Sequence, residues 1–170
     1  MRSQGFTLIE LLIVLVLIGV ITGMAMLAIG NDGNDRTHTI EAKRLAGLLD
    51  LAEQEAMLRG EAMALELFEH SYRFLSLTET GWQVERNDMQ FRLRELDGGL
   101  RLSLRLDESN QPLKSSALLT QQPQPQILLT PGGSSEAVEI SLSDKNQYVF
   151  HVSNAGEEGW DAIDSGNGRD

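Results

Sequence analysis

The sequence predicts an α+β chain in which a long N-terminal helix, apolar in its first half and amphipathic in its second, packs on one or two antiparallel sheets. Three observations predict it. Residues 6–29 form an apolar run whose only ionisable side chain is Glu10. Residues 39–59 repeat apolar side chains at helical spacing. From Ala62 onward the period switches toward two, in short runs separated by glycine-, proline- and aspartate-containing turns.

The first element is the apolar helix. A hydrophilic leader, residues 1–5 with one charge at Arg2, runs into Phe6. The 24 residues from Phe6 to Ile29 would extend about 36 Å as a helix, against about 30 Å of bilayer hydrocarbon. A membrane anchor explains that length but not Glu10. A charged side chain at mid-bilayer costs roughly 2.5–3.5 kcal/mol on insertion scales, so a retained acid is expected to have a use. Gly19 and Gly23 form a small-xxx-small pair on the same helix, suited to close helix packing or to ordinary membrane-helix glycine. No Ala-x-Ala site follows the core, although the small residues of 23–28 leave a signal-peptidase cut open. Arg2 before the apolar run predicts a cytoplasmic N-terminus and a domain on the opposite side of the inner membrane.

After Ile29 the run Gly30-Asn31-Asp32-Gly33-Asn34-Asp35 is rich in breaker residues, which predicts a break or kink over 30–38. An amphipathic helix is expected next, from about Thr39 to Arg59. Ile40, Leu45, Leu48, Leu49, Ala52, Ala56 and Met57 form its apolar stripe, and Gly60 closes it. That stripe is expected to cover the domain's own sheet.

The strands follow in order. Met63, Leu65 and Leu67 alternate with Ala64 and Glu66; Tyr72 and Phe74 alternate with Arg73 and Leu75; Trp82 and Val84 follow a Thr80-Gly81 turn; Phe91 and Leu93 form another run. Leu100, Leu102, Leu104 and Leu106 alternate with Arg101, Ser103 and Arg105 in the cleanest half-buried pattern of the chain, after an Asp97-Gly98-Gly99 turn. Residues 107–126 are polar and proline-containing and read as a long loop. Strands are expected again at 127–130, 138–142 and 148–152, and a flexible tail at 153–170. Residues 39–170 thus make one small domain, enough for a modest core.

The chain carries a net charge of −11; without residues 1–5, 13 basic against 25 acidic side chains leave −12. This argues against a nucleic-acid partner and against adsorption to anionic lipid. With no cysteine there is no disulfide frame and no thiol chemistry. His38, His70 and His151 stand at no metal-ligand spacing, and no nucleophile elbow or phosphate-binding lysine motif occurs. No catalytic residue, metal or cofactor is expected.

The run Gly5-Phe6-Thr7-Leu8-Ile9-Glu10-Leu11-Leu12-Ile13-Val14 resembles the class III signal of type IV pilins and type II secretion pseudopilins. The resemblance implies that a prepilin peptidase cuts between Gly5 and Phe6 and methylates the new amine of Phe6. It also implies that Glu10 pairs with a neighbour's terminal amine during filament assembly. Ile127-Leu128-Leu129-Thr130-Pro131-Gly132-Gly133-Ser134, an alternating strand, and Tyr148-Val149-Phe150-His151-Val152 together resemble the end of the H minor pseudopilins (GspH-like) of type II secretion. That resemblance implies a structural subunit near the tip of a periplasmic pseudopilus. Its implied partners are the I, J and K minor pseudopilins and the major pseudopilin, with contact to the secretin or to exported substrate. Two other readings stay open: a type IV pilus minor pilin of the FimT/FimU kind, and a membrane-anchored periplasmic binding protein or enzyme in which Glu10 is accidental.

Overall fold

A computed structural model describes residues 7–86, 88–97, 99–116, 122–132, 136–145, 148–156 and 159–167, with side chains given outside 26–37 and 166–167. Helix α1 runs from Leu8 to Arg59. The helix does not end at the break or kink expected over 30–38: helical structure continues through Gly30-Asn31-Asp32-Gly33-Asn34-Asp35. Weak helix formers cost at most about 1 kcal/mol each in a helix interior, and a helix extending both ways from such a run can carry them. The chain still divides into two compact units at Thr37/His38. The first is helical from Leu8, and its stretch Leu8–Ala25 has a mean hydropathy of 2.7 with nothing buried. That stretch is long and apolar enough to cross a membrane.

The second unit holds the helix from His38 onward and, among the described residues, ten strands. They are β1 (Met63–Leu67), β2 (Ser71–Thr78), β3 (Gly81–Val84), β4 (Arg94–Glu95), β5 (Arg101–Leu106), β6 (Ser109–Gln111), β7 (Ile127–Leu129), β8 (Val138–Ser143), β9 (Tyr148–Gly156) and β10 (Gly159–Asn167). Two five-stranded sheets result. One is ordered β3-β2-β1-β7 with β4 also on β2; the other is ordered β10-β9-β8-β5-β6. Every named pairing is antiparallel, as the tight turns and alternation predict.

One core joins helix and sheets. Ala42, Leu45, Ala46, Leu49, Ala52 and Ala56 form the buried stripe of α1. Met63, Leu65, Tyr72 and Phe74 meet it from the first sheet, and Leu102, Leu104, Ile140 and Val152 from the second. The stripe therefore covers the domain's own sheets, as expected. Ile40 and Met57, assigned to it from spacing, are instead 54% and 64% exposed. The small side chains of the stripe let the sheets approach the helix closely, and those two positions fall outside the contact arc. β5 shows the predicted alternation, with Leu102 and Leu104 buried and Arg101 and Ser103 exposed.

Two further expectations need correction. The region 107–126 is more ordered than a long loop where it is described. Asp107 and Glu108, at φ of 45° and 67°, turn β5 back into β6. Farther on, the Gln126 side chain accepts from the Leu67 amide at 2.8 Å and donates to its carbonyl at 3.2 Å. Residues 117–121 lie outside the described residues.

The tail is likewise not flexible through 159–167. It forms β10, paired to β9. Trp160, only 4% exposed, anchors it: its amide donates to Asp50 at 2.9 Å and its indole N–H to Glu53 at 3.0 Å. Burying a tryptophan with its polar end satisfied fixes an otherwise polar segment. Gly159 makes that approach possible. Its φ is +109°, and a Cβ there would lie 2.6 Å from Asp50 Oδ1. Gly159→Ala is therefore expected to destabilise the domain by about 1–3 kcal/mol through strain and loss of the Asp50 contact. Thermal unfolding followed by tryptophan fluorescence measures it.

Candidate functional site

Helix α1 begins at a hydrogen-bonded N-terminus. Thr7 stands immediately before it, and Glu10 is the third helical residue. The Glu10 amide donates to Thr7 Oγ1 at 3.4 Å. In return, Glu10 Oε2 accepts from the Thr7 amide and from the Thr7 hydroxyl, both at 3.2 Å. This reciprocal pattern is a capping box, which satisfies amides that a helix start leaves open. A carboxylate in the first turn also complements the positive end of the helix dipole. Thr-x-x-Glu before an apolar run is a readable signature of this cap, and Thr7 is the residue that sequence reasoning passed over. Glu10 is thus exposed but not idle: its own helix supplies partners for one carboxylate oxygen.

Beyond the cap, the stretch to Ala25 is apolar on every side. Leu8 is 82% exposed, Leu15 75% and Met24 69%. A helix hydrophobic all round is at home in lipid or inside a bundle. Thr22 returns its hydroxyl to the Ile18 carbonyl at 2.7 Å, which hides its polarity. A Cβ placed on Gly19 or Gly23 would meet nothing within 4 Å, so both lie on open surface. Gly5 and Phe6 lie outside the described residues.

The histidines are held in structural contacts. His70, in the turn after β1, shares Nδ1 with the Leu100 carbonyl at 2.7 Å. His151 on β9 lies 3.1 Å from Ser141 Oγ and 3.2 Å from Glu139 Oε1. His38 is buried within α1, its Nδ1 3.9 Å from Asp144 Oδ2. Among the described residues, no group of three or more metal-ligating side chains comes together. Tyr72 is fully buried, and the desolvation of its phenol pushes its pKa well above the ordinary range.

Comparison with known proteins covers both halves of the chain. The family described as Type II transport protein GspH matches residues 41–156, and the prokaryotic N-terminal methylation motif matches residues 1–26. The chain is 33% identical over 149 residues to the Type II secretion system protein H of Pseudomonas aeruginosa, with 84% of each chain covered. It is 24% identical over 158 residues to the protein of the same name from Aeromonas hydrophila, covering 89% of this chain and 86% of that one. In fold it is similar to the crystal structure of the minor pseudopilin EpsH from the type II secretion system of Vibrio cholerae. The TM-score is 0.63 at 22% identity, over 79% of this chain and 97% of that one.

Proposed function

The chain belongs to the Type II transport protein GspH family, and on that premise we propose that it is a structural minor pseudopilin, cleaved between Gly5 and Phe6 and assembled through its N-terminal helix near the tip of a periplasmic pseudopilus. The observation that carries this reading is the junction at Thr7–Glu10. A capped, carboxylate-bearing helix start opens directly onto a helix with apolar surface on every side. Lipid satisfies that surface before assembly, and packed neighbouring helices satisfy it afterwards.

Glu10 supplies the register. In the single chain its carboxylate rests on the cap. A neighbour's N-terminal ammonium brought alongside adds an opposite charge to the hydrogen bonds the carboxylate already accepts. Gly19 and Gly23 then let a helix pack closely. The proposed partners are the major pseudopilin and the I, J and K minor pseudopilins, with the prepilin peptidase acting first and the secretin or an exported substrate met at the tip. The N-terminus stays on the cytoplasmic side until extraction from the inner membrane, and the domain is periplasmic. No catalytic step is assigned to the chain. The test is the chemistry of its N-terminus in the cell, where an N-methylated Phe6 is expected.

A further inference from the structure

The first sheet has an interrupted edge. β2 pairs with β3 over Leu75–Thr78 and with β4 over Ser71–Tyr72. Between those strands the chain leaves the edge, and Phe91 returns to plug the core, 1% exposed and 5.0 Å from the Phe74 ring. Beside this excursion lies an open groove of about 810 Å³. Its lining holds three arginines, Arg73, Arg86 and Arg92, against one acid, Glu85, in a chain of net charge −11.

The two inner charges are already engaged. Arg73 holds Glu66 at 2.7 Å, and Glu85 is held by Arg59 at 3.2 Å. Arg44, Arg101 and Arg105, on other surfaces, also each hold a carboxylate. Arg86 and Arg92 are exposed and, among the described residues, form no hydrogen bond or ion pair. Val84, Leu93 and Pro123 provide apolar surface between them. β3 pairs only with β2, so among the described residues its other edge carries no strand.

We infer that this groove docks an acidic, extended segment of another protein chain, its carboxylates on Arg86 and Arg92 and its aliphatic side chains on Val84, Leu93 and Pro123. Arginine forks suit carboxylates in paired geometry. An open strand edge suits an extended backbone. The wider surface, being acidic, repels such a segment, which directs it to this groove. Phe91 fixes the excursion in place, so little ordering is left to binding. The inference concerns the second unit alone and stands or falls independently of cleavage at Gly5-Phe6.

The probe is a fluorescein-labelled peptide of alternating Asp and Leu, with an alternating Asn and Leu peptide as its control, titrated into the detergent-solubilised full chain by fluorescence anisotropy. The Asp peptide is expected to bind and to weaken as salt rises; the Asn peptide is not. Arg86→Glu combined with Arg92→Glu is expected to weaken binding about tenfold or more. Lys43→Glu combined with Lys145→Glu, which changes net charge equally elsewhere, is expected to change it less than about twofold. Arg86→Gln with Arg92→Gln, matched to wild type in thermal unfolding, provides the same comparison should the charge reversal unfold the domain. Equal binding of the two peptides, binding of neither, or equal losses in the groove and control variants would overturn the proposal.

Discussion

Glu10→Val is expected to abolish incorporation of the chain into the filament and the export that depends on it, while the protein remains in the membrane. Valine removes the only ionisable side chain of the apolar run, so insertion becomes easier and anchoring persists. Under the proposed function, what is lost is the partner for a neighbour's ammonium. On the proposed reading, removing one member of a buried pair costs about 3–5 kcal/mol, or roughly two to four orders of magnitude in the equilibrium between membrane and filament. The capping box supplies a sharper variant. Glutamine also completes that motif, so Glu10→Gln keeps the Thr7 contacts and removes only the charge. If the charge sets the register, Glu10→Gln fails nearly as badly as Glu10→Val. If Glu10 is only a helix cap, Glu10→Gln exports normally, and the register role is rejected. Sheared-filament fractions and secreted protein, each normalised to the amount of membrane-bound chain, give the answer.

The second large effect is expected at the buried ion pair of the first sheet. Glu66 and Arg73 are 2% and 5% exposed and meet at 2.7 Å. The Gln124 amide donates to the other Glu66 oxygen at 3.1 Å, and the Arg73 guanidinium lies 5.5 Å from the Phe68 ring centre. Removing the carboxylate strands the guanidinium in a site that water reaches poorly. Glu66→Ala is therefore expected to destabilise the domain by about 3–5 kcal/mol. That is a large share of the roughly 5–15 kcal/mol available to an ordinary domain. Replacing both members by apolar residues of similar size, as in Glu66→Met with Arg73→Leu, is expected to recover most of the loss. Urea unfolding monitored through the buried Trp160 separates the cases, and equal midpoints for the single and double variants would contradict the account.

That ion pair also shows where sequence reasoning stops. Alternation along Met63–Leu67 correctly marks a strand, and it puts Glu66 on the face away from the helix. It does not reveal that this face is covered too, by a segment around residue 124 that returns from some sixty positions downstream. Long-range covering is invisible to a two-residue period. The same limit applies to β10. The tail has few apolar residues and several glycines, and only its contact with Asp50 and Glu53, more than a hundred residues away, makes Trp160 an anchor. β6 was hidden by its turn. Such a hairpin usually advertises itself with Asn-Gly or Asp-Gly, whereas Asp107 and Glu108 take positive φ without glycine.

Other features were legible because their physics is local. The membrane-length helix follows from an unbroken apolar run, and most of the stripe of α1 and the alternation of β5 from side-chain period. The run 30–35 does not end the helix. Its glycines and asparagines were read as punctuation, but helix propensity is a weak term when helix extends on both sides. At the helix start, the sequence made Glu10 conspicuous as an acid among apolar residues. The same four letters, Thr7 to Glu10, also encoded the cap that holds it.

The most direct test of a processed, assembling subunit is the intact mass and N-terminal fragmentation of the chain, purified from cells with and without the prepilin peptidase. The account predicts a chain beginning at N-methylated Phe6 when the peptidase is present and retaining residues 1–5 when it is absent. A chain that keeps Met1 in both strains, or one cut near Ala28, would contradict it.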